Sequence, residues 1–187
     1  MDSTINDRLE NAVSEYRSLD EAAIAIQHLL KTAEEKLPPV VLSTLHGEPL
    51  GHPLHPILVH LPLGGWMIAG ILDFLPLGEI EGREQAADLA LLLGTAGGLG
   101  TIATGWTDWG NTRGQARRTG LVHGLMNEAA FFLNVASLIA RRRGRRGLGK
   151  TLSGTALTLA LAGGFLGGQL VYRHALGVGH TLSRPQG

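Results

Sequence analysis

Four apolar stretches, each about as long as a membrane-crossing helix, constrain this chain more than any other feature. They are Ile57 to Leu77, Ala86 to Trp106, Thr119 to Ala140 and Thr151 to Tyr172. A helix needs about 20 residues to cross roughly 30 Å of hydrocarbon. The first stretch holds only His60 and Asp73 as ionisable groups, the second only Asp88, and the third His123 and Glu128. The fourth has none before its terminal tyrosine. A soluble bundle helix shows one apolar stripe and one charged face, yet Leu89 to Trp106 and Thr151 to Tyr172 have no charged face. Charge collects instead between the stretches, in Glu79 to Gln85, Thr107 to Arg118 and Arg141 to Lys150. The pattern predicts an all-α, four-span transmembrane helix bundle over residues 47–180. A polar, acidic helical tail (1–46) precedes it and a short tail (181–187) follows.

Composition narrows the function classes. The mean hydropathy of +0.12 averages over a segregated chain. Sixteen basic residues balance sixteen acidic ones, so no net field draws the chain to nucleic acid. The absence of cysteine excludes disulfides, thiolate metal sites and a cysteine nucleophile. Gly-x-Ser-x-Gly and a complete phosphate loop are also missing, so no recognisable catalytic motif is present. Residues 1–50 contain no apolar core of a secretory signal peptide. The expected setting is the inner (plasma) membrane.

The acidic tail has its own pattern. Ile5, Leu9, Val13 and Tyr16 share one helical face, and Ser18-x-x-Glu21 reads as a capping box opening a second helix. Ala23, Ile26, Leu30, Ala33 and Leu37 stripe that helix until Pro38-Pro39. Such helices lie on a bilayer, pair with a copy or contact a partner. Net acidity weakens the first option.

Glycine, 27 of 187 residues, is concentrated in the spans. Gly94-x-x-x-Gly98, Gly163-x-x-x-Gly167 and Gly164-x-x-x-Gly168 have the spacing that lets helix backbones approach closely, within one chain or across a homodimer. Leu58-Val59-His60 recurs as Leu121-Val122-His123, and Ala96-Gly97-Gly98 as Ala162-Gly163-Gly164. These matches fit a duplicated hairpin that would set His60 and His123 at matching depth.

Counting spans places seven of the eight histidines on one membrane side. Ionisable groups within a membrane are costly and therefore functional candidates. His60 and His123 are candidate haem b ligands, and His52, His55 and His174 candidate ligands for a transition metal. Trp106, Asp108, Arg118, Asn127, Glu128, Tyr172 and Arg173 complete a polar site on that side. The bland alternative is a set of helix caps with an interfacial aromatic belt of Trp106, Trp109 and Tyr172. The basic segment holding Arg141, Arg142, Arg143, Arg145, Arg146 and Lys150 places the opposite side in the cytoplasm, leaving the histidine-rich side extracytoplasmic. Arg113, Arg117, Arg118, Lys31 and Lys36 weigh against that orientation.

Four landmarks carry a family resemblance. Gly51-His52-Pro53-Leu54-His55-Pro56-Ile57-Leu58-Val59-His60-Leu61-Pro62-Leu63-Gly64 resembles the opening signature of an uncharacterised family of bacterial four-helix membrane domains. Gly105-Trp106-Thr107-Asp108-Trp109 is similar to its second landmark, and Arg118 with His123 and Asn127 to its third. Gly167 to His174 and Gly177-Val178-Gly179 resemble its closing one, with Ala175 replacing the usual glycine. The resemblance covers residues 51 to about 180 and implies a domain of unknown function. Some relatives are fused to Rieske iron–sulphur domains, which implies a redox setting and a redox protein partner for those members. Three readings follow: a haem-binding electron-transfer subunit, a metal- or proton-linked membrane protein, and a structural or assembly component without cofactor.

Overall fold

The structure is a computed structural model that describes residues 17–76 and 78–178. The Ile5 to Tyr16 stripe, His180 and the 181–187 tail lie outside the described residues. Within them the chain is helical: α1 (Arg17–Glu34), α2 (Pro39–Leu45), a 3-10 turn (Glu48–Leu50), α3 (His55–Leu58), α4 (His60–Phe74), α5 (Arg83–Trp109), α6 (Gly114–Arg142) and α7 (Arg146–Tyr172). Four helical stretches are long and apolar enough to cross a membrane: His55–Phe74, Arg83–Trp109, Gly114–Arg142 and Arg146–Tyr172.

The boundaries differ from the hydropathy reading for physical reasons. The first span breaks at Val59 because Pro62 has no N–H for the Leu58 carbonyl and its ring crowds that oxygen. It also stops at Phe74, short of Leu77. Arg83 holds the Leu72 and Leu75 carbonyls at that end, satisfying acceptors that a helix C-terminus leaves open. The expected loop 141–150 is almost wholly helical, with a turn between Arg142 and Arg146 in which Gly144 takes a positive φ of 73°. Ser18 lies inside α1, so it does not cap it. Pro39 begins α2 at its first turn, where a missing N–H is harmless.

The described residues fall into two compact units. One comprises 55–76, 78–102 and 125–163. Its core is Trp66, Ala69, Leu91, Ala130, Phe131, Ala156 and Ala160. Alanine dominates because lipid offers no hydrophobic drive between helices, and close approach must supply the packing instead. Leu61, Ile68, Leu93, Leu99 and Phe132 point outward, as lipid-facing side chains do.

The second unit comprises 17–54, 103–124 and 164–178. Ala23 of α1, Trp109 and Leu121 form its core, with Leu19, Ile26, Leu30 and Trp106 packed around them. The first half of the predicted α1 stripe thus docks on the chain's own span ends. Ala33 and Leu37 remain exposed.

Candidate functional site

The most completely built polar constellation lies in the first unit, at the ends where α4 and α6 finish and α5 and α7 begin. Asp73 and Arg141 have side chains only 1% exposed and pair with each other through the Arg141 Nη2. Arg141 Nη1 reaches Asp88 Oδ1 at 2.8 Å. Its Nη2 also donates to Ser153 Oγ at 2.9 Å, and its Nε to Ser137 Oγ at 3.1 Å. The Ser137 Oγ–H in turn donates a hydrogen bond to the Gly149 carbonyl at 2.6 Å. Arg146 spans Asp88 at 3.1 Å and Asp73 at 3.4 Å and meets Glu84 at 2.8 Å, while the Lys150 Nζ lies 3.8 Å from Asp73. Three carboxylates face three cations, so the cluster is neutral. A planar guanidinium with five donors suits this multi-armed role better than lysine does. Residues expected to form a free basic loop are therefore partly internal, and only Arg142, Arg143 and Arg145 remain exposed without a carboxylate partner among the described residues.

The histidines are placed differently from one another. His60 is exposed, and its Nδ1 donates to the Ile57 carbonyl of the preceding turn at 3.1 Å. His55 is half-buried, with Nδ1 2.9 Å from the Thr101 carbonyl of α5. His52 is exposed, with Nδ1 3.2 Å from the Pro53 carbonyl. Donation from Nδ1 fixes the tautomer that carries its lone pair on Nε2. His123 and His174 are half-buried. Among the described residues, no group of three or more His, Asp or Glu side chains converges to hold a metal ion.

His123 packs against the backbone of Gly167: a Cβ there would lie 2.9 Å from its Cε1. Asn127 packs in the same manner on Gly163, where a Cβ would lie 2.6 Å from its Nδ2. The Gly163/Gly167 pair thus serves polar side chains within the chain. Gly164 and Gly168 have nothing within 4 Å. The repeated segments have unlike surroundings too: Gly98 receives the Phe131 ring, whereas Gly164 is open.

Sequence reasoning missed a further pair, Gly120-x-x-x-Gly124, which receives the indoles of Trp109 and Trp106. These two rings meet edge-on at 5.0 Å, and Trp109 Nε1 donates to the Arg117 carbonyl at 2.8 Å. Trp109, 3% exposed, is a core residue rather than part of an aromatic belt. Tyr172 is 89% exposed. Asp108, Asn127 and Glu128 are half-buried, and Arg173 is exposed.

Arg118 and Arg117 both serve the tail. Asp20 of α1 accepts from Arg118 Nη1 at 2.6 Å and Arg117 Nη2 at 2.8 Å. Gln27 adds bonds to the Trp109 and Thr112 carbonyls at 3.2 and 3.0 Å. Hydrogen bonds from Arg117 and then Arg118 hold the Asp20 carboxyl below its ordinary value of 3.8. A depressed carboxylate stabilises the docked helix above its unfolded pKa, and that contribution is lost as pH falls through the folded one. Acidification below about pH 4 is thus expected to loosen α1 from Trp109, read as a shift in tryptophan emission. Asp20→Asn should reproduce the shift at neutral pH and flatten its pH dependence.

No curated protein and no solved structure matches the chain. Residues 51–180, which take in all four membrane-capable helices, match DUF2231, described as a predicted membrane protein, and α1 lies outside the match. A match over more than half the chain, on the segment whose helices are built for lipid, places this protein in the DUF2231 family of membrane proteins of unknown function.

Proposed function

We propose that the chain is a structural or assembly component of its membrane, acting by binding rather than by catalysis. The observation that carries this reading is the internally paired Asp73–Asp88–Arg141–Arg146 cluster. Its charges, those of Asp73 and Arg141 fully buried, neutralise one another across four helices, as a clamp requires, and a ligand would have to displace existing bonds. The carbonyl bonds of His52, His55 and His60 around the entry to the first span fit the same role.

The competing reading, a haem-binding redox subunit, draws on His60. An imidazole whose Nδ1–H is held by a carbonyl and whose Nε2 keeps its lone pair has the orientation of a ligating histidine. The absorbance spectrum of detergent-purified protein from haem-replete cells separates the two. The structural reading expects no Soret band and substoichiometric metal, with His60→Ala and His123→Ala altering thermal stability alone. A stoichiometric Soret band that disappears in His60→Ala overturns it.

The exposed Arg142, Arg143 and Arg145 support a cytoplasmic position for the α6–α7 turn, since arginines already paired in the clamp leave this trio as the free positive charge there. The native chain has no cysteine, so Arg143→Cys gives a single reporter. It should resist a membrane-impermeant maleimide in intact spheroplasts and react after lysis.

A further inference from the structure

A groove of about 500 Å³ runs between α1 and the segment joining α5 to α6. Gln27, Lys31 and Glu34 line one wall, and Asn111, Arg113 and Arg117 the other. The linking segment follows Trp109 and precedes Gly114, the ends of two membrane-capable helices. The ends of membrane-crossing helices are where hydrocarbon gives way to headgroups.

Among the described residues, the charges around the groove do not balance. Asp20 is one carboxylate shared by two guanidinium groups, Arg117 and Arg118, which leaves a positive excess. Among the described residues, no carboxylate lies within ion-pair distance of Lys31 or Arg113. The first turn of α6 contributes no acidic residue to offset them. Glu34, three residues beyond Lys31 on the same helix face, supplies the only negative side chain among the described residues of the lining and sits beside Gly110. Gln27 is committed to the backbone, so it shapes the wall and does not compete for a ligand.

Cations at Lys31 and Arg113, with a carboxylate one helical turn on, match a ligand that carries a phosphodiester and an amine together. We propose that this groove binds the phosphoethanolamine headgroup of a phospholipid, with Lys31 and Arg113 on the phosphate oxygens and Glu34 on the ammonium. Arginine and lysine donate charge-assisted hydrogen bonds to phosphate. The same phosphate chemistry exists in free inorganic phosphate, but only the lipid also satisfies Glu34. α1 thereby becomes a lipid-reading element docked beside the span ends.

The test uses the full chain in neutral detergent and follows thermal unfolding against short-chain phosphatidylethanolamine, phosphatidylglycerol and inorganic phosphate. Saturating phosphatidylethanolamine is expected to raise the Tm by about 5 °C or more. Lys31→Ala and Arg113→Ala should each remove most of that shift, and Lys31→Arg should retain it. Both residues are exposed, and the Tm without lipid reports whether each variant is folded. Glu34→Gln should keep the response to phosphate while abolishing the preference for ethanolamine over glycerol. No shift with phosphatidylethanolamine, or an undiminished shift in Lys31→Ala/Arg113→Ala, overturns the site. An equal shift with inorganic phosphate overturns the lipid assignment, and a larger one with phosphatidylglycerol overturns the role of Glu34.

Discussion

Asp73→Ala and Arg141→Ala are each expected to cost about 3–5 kcal/mol, the penalty for leaving one member of a buried ion pair without its partner. Both side chains are almost fully enclosed, so water cannot replace what is lost. Unfolding in detergent, followed by circular dichroism, measures the effect. Asp88→Ala should cost no more than about 1 kcal/mol, because Asp88 is 39% exposed and its charge is partly hydrated. Replacing both partners, as Asp73→Leu/Arg141→Met, leaves Glu84, Asp88, Arg146 and Lys150 balanced and should recover most of the loss. A double variant as unstable as the singles would show that the arginine's bonds to Ser137 and Ser153 matter more than its charge.

Gly65→Ala is expected to cost about 1–3 kcal/mol, and Gly65→Leu more. A Cβ at Gly65 would lie 2.6 Å from the Ala90 carbonyl oxygen and 2.7 Å from the Gly94 Cα. Those are backbone atoms and cannot turn aside, so α4 and α5 would have to part. Separation would also strain the bond from Trp66 Nε1 to Thr95 Oγ1, now 3.2 Å. Gly164→Ala is the control. Nothing lies within 4 Å of that position, and alanine is the better helix former by about 1 kcal/mol. The control should be neutral or stabilising. If both variants melt alike, tight packing at Gly65 is not what holds α4 to α5.

The spans were legible because apolar length is a property of contiguous residues. The α1 stripe was legible for a similar reason, since Ala23, Ile26 and Leu30 repeat at helical spacing. What occupied the stripe was not, because Trp109 and Leu121 lie some ninety residues away. The clamp shows the same limit. Asp73 and Asp88 stood out as ionisable residues in apolar runs, and Arg141 to Lys150 as a basic segment, but a hydropathy window trims charged residues from helix ends. Span parity had already put these two groups at the same end of their helices, and opposite charge at a shared end was the available signal. The candidate site residues are alike in residue type, and imidazoles read alike in sequence. Only geometry distinguishes His60, exposed on its own turn, from His123, packed on a glycine backbone. Gly120-x-x-x-Gly124 has the spacing of the other glycine pairs, and that spacing does not distinguish a site filled by indoles from one filled by a helix backbone.

The clamp has a consequence for how the protein is made. Its members from the first hairpin, Asp73, Glu84 and Asp88, are all acidic, and those from the second, Arg141, Arg146 and Lys150, are all basic. Each hairpin alone carries an excess of one sign at that end, offset in the first only by Arg83, which is held on the Leu72 and Leu75 carbonyls. The pairs that neutralise those charges therefore form only when the two hairpins meet.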